Sequence, residues 1–171
     1  MRHYLDLFES MENADEIIAD LAYRWDNYDA GDIWTFGRSK LEDEIIAYAR
    51  TLHQRPVTGD LYRGQGVLDD DFERLMNGET ITIGLVKTKL TSWTKDADIA
   101  KVFAESSWEC HGFSSISFRY PASKLTPVLD FTQFPPLSVS MVQSEREVIC
   151  LHCELTISPD MVFTSHKYEG S

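Results

Sequence analysis

The chain has 171 residues, 43% of them hydrophobic and 12% aromatic, enough to build a core and to exclude disorder as the default. Its formal net charge of −12 argues against broad attraction to nucleic-acid phosphates while leaving room for a local basic groove. No apolar run approaches the ~18 residues of a bilayer span, and no N-terminal segment reads as a secretion signal. The expectation is one soluble, cytoplasmic domain over residues 1–171, without a membrane partner.

The N-terminal third, 1–57, reads as a helical lobe. Asn13 to Glu16 has capping-box character, and Ile17, Ile18, Leu21, Ala22, Trp25 and Tyr28 follow at helical spacing until "DAGD" stops the run. A second helix begins at Ser39, carries Leu41, Ile45, Ile46, Ala49 and Leu52 on one face, and ends before Arg55-Pro56. Both faces read as core stripes, with no chemistry assigned to them.

From residue 58 to 171 the signals turn mostly to strand. "LYRGQG" reads as a short strand, Leu61 to Arg63, running into a glycine-rich loop. "DDDFERLMNG" is a helix with acidic residues at its positive end and Gly78 as its cap. "ITIGLVKTKLTSWT" carries β-branched residues at strand spacing. In "KDADIAKVFAES" a helix starts near Asp96 or Asp98, with Ile99, Val102 and Phe103 turned inward. "SSISFRY", "TPVLDF", "REVICLHCEL" and "DMVFTSHKY" read as strands, and Pro135-Pro136 with "LSVSMVQS" as a loop. The architecture expected is α+β.

Cys110, Cys150 and Cys153 give no disulfide framework. The lone C-x-x-C of Cys150 and Cys153 alternates like a strand, which would turn the two thiols to opposite faces. Its only candidate second ligand pair is Cys110-His111, and His53, His111, His152 and His166 show no ligand spacing, so no metal is expected.

Three short elements carry the chemistry: Tyr62-Arg63-Gly64 at a strand end, Ser92-Trp93-Thr94 before a helix, and Glu145-Arg146-Glu147 opening a later strand. In a strand, Glu145 and Glu147 would point to the same side. In this order the motifs resemble those of the mono-ADP-ribosyltransferases of the arginine-serine-glutamate class, such as clostridial binary-toxin catalytic domains and the transferases of T-even phages. "SWTKDADIAKVFA" also matches the family's serine motif and the helix with an "A-x-x-F-A" ending that follows it. The resemblance covers roughly Leu61 to Tyr168, and it departs in the middle of the serine motif, where Trp93 replaces a small residue and is expected to face the core.

The resemblance implies an ADP-ribosyltransferase-like β-sandwich preceded by a helical lobe, with NAD+ as substrate and no metal. Glu147 would bind the 2′-hydroxyl of the nicotinamide ribose and stabilise positive charge as the glycosidic bond breaks, which suits a carboxylate. Ser92 would hold that ribose and place Glu147. Arg63 would meet the pyrophosphate with its planar fork. The backbone of Gly64 would approach the carboxamide. Tyr62, Thr94 and Phe103 complete the implied NAD site. Glu145 would face the acceptor and take a proton from an attacking guanidinium, marking protein arginine as the target. Smaller roles fall to Trp108 and Phe113 over the nicotinamide, and to Phe131 and Phe134 towards the acceptor. A nucleic-acid acceptor or plain NAD+ hydrolysis are the alternatives, and clustering of Lys87, Lys89, Lys95 and Arg119 near Glu145 would favour nucleic acid. A non-catalytic binding module is disfavoured, because every motif position carries a competent residue. A phage effector or bacterial toxin of this kind would need an antitoxin or immunity partner.

Overall fold

The computed structural model describes residues 14–29, 36–84, 88–111, 114–134 and 145–169. Helix α1 (Ala14–Asp29) buries Ile17, Ile18, Leu21, Ala22 and Trp25 along one face, the i, i+3, i+4 stripe that its sequence dictates. Helix α2 (Phe36–Ala49) starts three residues before Ser39 and buries Leu41, Ile45 and Ala49. Glu42 is buried beside them, and its carboxylate accepts the backbone N–H of Leu90 at 2.6 Å.

Strand β1 (Asp60–Val67) runs straight through Gly64 and Gly66, where the sequence suggested a loop. The reason lies on both sides of it. Residues 60–67 pair in unbroken register with β4 (Ser114–Pro121), Gly64 opposite Ser117. Above Gly64, helix α4 (Ala97–His111) comes so close that an added Cβ would lie 2.0 Å from the carbonyl oxygen of Ala100 and 2.5 Å from the amide of Ala104. The inward residues of α4 are therefore the small Ala100 and Ala104, both fully buried. Val102 and Phe103, expected inward, are 56% and 40% exposed, since side chains of that size would hold the helix off the strand.

Helix α3 (Asp69–Met76) carries Asp69, Asp70 and Asp71 in its first turn and closes on Asn77, with Gly78 at φ 90° just beyond. Strands β2 (Ile81–Ile83), β3 (Leu90–Thr94), β5 (Pro127–Asp130), β6 (Glu147–Leu151), β7 (Leu155–Ile157) and β8 (Val162–His166) complete the elements. Six of the strands form an antiparallel sheet in the order β5-β6-β3-β1-β4-β8, and β2 pairs antiparallel with β7. With four helices among the described residues, the fold is mixed helix and sheet of the α+β kind.

The large sheet is covered on both faces. On one, Leu90, Leu129 and Ile149 pack with Phe131 under the apolar stripes of α1 and α2, while α4 lies over β1 and β4. On the other, Leu61, Trp93, Ile116, Phe118, Val148 and Cys150 share a core with Phe72 and Leu75 of α3 and with Ile81, Ile83, Leu155 and Ile157 of the small sheet. Burying Ile18, Leu21, Leu41 and Ile45 completely contributes on the order of 6 kcal/mol or more. That makes the helical lobe part of the body of the protein.

"REVICLHCEL" forms two strands in different sheets, because the chain leaves β6 after Leu151. Cys150 and Cys153 consequently border the same core instead of pointing to opposite faces. Burial, with Cys153 nearby, pushes the Cys150 thiol up to about 12, so it stays protonated and unreactive at neutral pH.

Candidate active site

Register brings the three motifs onto neighbouring strands. Ser92 lies opposite Ile149 and Thr94 opposite Glu147 across β3 and β6, and Tyr62 of β1 pairs with Thr94. Alternation then puts the side chains of Tyr62, Ser92, Thr94 and Glu147 on the face covered by α1, α2 and α4. Trp93, one residue out of step, points into the opposite core as expected, edge-on to Phe118, with its indole N–H donating to Thr91 Oγ1 at 3.1 Å.

Glu147 is 5% exposed. A buried carboxylate needs partners to offset desolvation, and one comes from an element to which the sequence assigned no chemistry. The indole N–H of Trp25, on α1, donates to Glu147 Oε1 at 2.7 Å, with Ser92 Oγ 3.2 Å from the same nitrogen. The periodicity marked Trp25 correctly as core. The overlooked signal was its donor: a Trp buried in a stripe of Ile, Leu and Ala must find an acceptor elsewhere.

The glutamate pair does not lie in one strand. Glu145 and Arg146 form a turn, β6 begins at Glu147, and Arg146 adopts φ 50°, the left-handed region that costs a non-glycine residue about 1–2 kcal/mol. The turn is held from β3: Thr94 Oγ1 donates to the Glu145 carbonyl at 2.6 Å, and the Lys95 amide donates to the Arg146 carbonyl at 3.1 Å. Alternation is broken there, leaving Glu145 half-buried while Glu147 is buried. The two carboxylates thus sit in different surroundings.

Thr94 is occupied by its protein neighbours. It is buried, and its hydroxyl also accepts the Asp96 amide at 3.0 Å as α4 approaches, while Asp96 Oδ1 accepts from the Asp98 amide at 2.9 Å. Arg63 leaves β1 one residue after Tyr62, on the face opposite Ser92 and Glu147. Its Nη1 donates to the backbone carbonyl of Ser92 at 2.5 Å and its Nε to Gln65 Oε1 at 3.0 Å, so the guanidinium ties β1 to β3 beneath the site. Tyr62 packs edge-on against Phe163 of β8, centroids 5.8 Å apart. Gly64 lies under α4, and the exposed Phe103 stands on that helix's outer side. Phe131 is fully buried and Phe134 packs against the same cluster, so both serve the core under the helical lobe. The side chains of Trp108, Cys110, His111 and Phe113, with Lys87, lie outside the described residues.

Lys95 belongs to a network at the end of β5. Its ammonium donates to Asp130 Oδ2 at 2.8 Å and to Thr132 Oγ1 at 2.5 Å, and Asp130 also accepts from Gln133 and from the Thr132 amide. Gln54, just after α2, donates to the Val128 carbonyl at 2.9 Å and accepts the Asp130 amide at 2.9 Å. Burial alone would push the Asp130 carboxyl up, but hydrogen bonds from Lys95, Thr132 and Gln133 outweigh it and hold the group below the usual carboxylate range. A carboxyl depressed in the fold adds stability that is complete above its unfolded value of 3.8 and is lost as pH falls through its folded value. Asp130→Asn should therefore lower stability at neutral pH and flatten its decline below about pH 4, measured as urea midpoints across pH.

Among the described residues no group of three His, Cys, Asp or Glu is placed to hold a metal, and no helix is long and apolar enough to cross a membrane. No family model matches the chain, and neither a curated protein nor a solved structure matches it.

Proposed function

We propose that the protein is a mono-ADP-ribosyltransferase that moves ADP-ribose from NAD+ to arginine side chains of a protein and releases nicotinamide. The observation that supports this most is the meeting of Ser92 and the buried Glu147 on one sheet face, with Glu145 on a tied turn two residues away. The residues fit the substrate. A serine hydroxyl and a carboxylate side by side match a ribose that carries hydroxyls and gains positive charge as its bond to nicotinamide weakens. In this reading the two sheets form an ADP-ribosyltransferase-like β-sandwich core behind the α1–α2 lobe.

Glu147 binds the 2′-hydroxyl and stabilises the sugar cation, and Ser92 keeps both in place. Glu145, less buried, orients the acceptor guanidinium and takes its proton while nitrogen bonds to C1′ and nicotinamide departs with the electrons of the broken bond. Arg63 acts here through the strands it joins, by fixing the Ser92 carbonyl. The roles of Tyr62, Gly64, Thr94 and Phe103 towards NAD+ reduce to shaping the walls, since three of them are engaged by neighbouring protein and Phe103 is exposed. The protein acts in a cytoplasm as a toxin or phage effector, with an antitoxin or immunity protein as its partner.

Lys89, Lys95 and Arg119 are each engaged by acceptors within the protein, which supports a protein acceptor over nucleic acid. Lys89 pairs with Asp43 at 2.7 Å, Lys95 with Asp130, and Arg119 donates to the Asp160 carbonyl at 3.0 Å. Incubation with labelled NAD+ and a cell lysate tests the assignment. Label lost to protease but kept through nuclease is the expected result, and the reverse would move the acceptor to nucleic acid. Glu145→Gln should lower transfer to arginine by about 10²-fold or more while NAD+ hydrolysis persists. Transfer by that variant at the wild-type rate would refute the arginine assignment.

A further inference from the structure

We infer that Trp25 is a positioning residue for the reaction, so that the helical lobe supplies part of the active site; this rests on the transferase reading above. Three observations carry it. The indole N–H reaches Glu147 Oε1 at 2.7 Å and Ser92 Oγ at 3.2 Å, the two side chains that the reaction needs on one sugar. Trp25 is fully buried among Ile18, Leu21, Leu129 and Ile149, so its ring has no freedom to follow a moving carboxylate. Glu42, from α2, accepts the first amide of β3 at 2.6 Å, so the lobe grips the strand that carries Ser92 at a second point.

The same burial argues against a lid. For α1 to swing off the site, Trp25 and the apolar residues around it would have to enter water together. The indole is instead a fixed donor that favours one carboxylate rotamer. A donor held by packing needs no reorganisation as charge develops on the sugar. Trp25 itself lies one hydrogen bond from the reacting atoms and acts through Glu147.

Packing and hydrogen bonding separate when Trp25 is replaced site-specifically by β-(3-benzothienyl)alanine, which keeps the fused bicycle and substitutes sulfur for the N–H. The expected result is a fall in kcat for NAD+ cleavage of about 10-fold or more, with KM for NAD+ within twofold of wild type and the melting temperature unchanged. Trp25→Phe, which loses both the donor and volume, should lower kcat and the melting temperature together. An unchanged kcat in the isostere, with Glu147→Gln inactive in the same assay, would show that Trp25 serves packing alone and overturn this inference while the transferase reading stands. A wild-type protein that consumes no NAD+ would overturn both.

Discussion

Glu147→Gln is expected to lower NAD+ cleavage by roughly 10³-fold while leaving the fold intact. The amide has nearly the same shape, and its oxygen still accepts from the Trp25 indole, so the packing of α1 on the sheet has no cause to change. What disappears is the negative charge beside the sugar. An amide dipole cannot replace it where water is excluded, because charge counts for more at low dielectric. Nicotinamide release measured by chromatography, with the thermal melt of both proteins, separates the outcomes. Retained cleavage would mean that Glu147 is a core carboxylate satisfied by Trp25 and nothing more.

Gly64→Ala should be the most destabilising single-methyl change in the core. Its Cβ would lie 2.0 Å from the carbonyl oxygen of Ala100 and 2.5 Å from the amide of Ala104, and both are backbone atoms that no rotamer can withdraw. Helix α4 would have to lift off β1, at a cost of about 3 kcal/mol by analogy with overpacked cores. For a chain of this size that is a drop of roughly 6–12 °C in melting temperature. Gly59→Ala is the control: φ is +78° there but nothing lies within 4 Å, so the cost is the left-handed backbone alone, about 1–2 kcal/mol. Equal melting temperatures for the two variants would show that α4 does not approach β1 so closely.

Elements were legible in the sequence wherever one physical rule acted alone. The apolar stripe of α1, the capped end of α3 at Asn77-Gly78, and the inward turn of Trp93 follow from periodicity and turn chemistry. Errors appeared where a distant partner decided the matter. "GQG" looked like a loop because glycine is poor in strands; it is a strand because β4 pairs along its whole length and α4 needs the space over Gly64. The same contact turned Val102 and Phe103 outward. Glu145-Arg146-Glu147 looked like a continuous strand, yet Thr94 and Lys95 capture the carbonyls of Glu145 and Arg146 and hold Arg146 left-handed. The candidate site was half legible. Ser92 and Glu147 come together because both motifs lie on neighbouring strands, but no pattern in α1 announces that Trp25 reaches across to them.

The most direct measurement is nicotinamide release from NAD+ by the purified 171-residue chain, with a small soluble guanidine compound present as a stand-in for arginine. Nicotinamide release matched by the mass of one ADP-ribose added to the guanidine compound, both absent with Glu147→Gln, is the result that the account predicts. NAD+ left intact by the folded wild-type protein, with this acceptor and with a cell lysate alike, would contradict it.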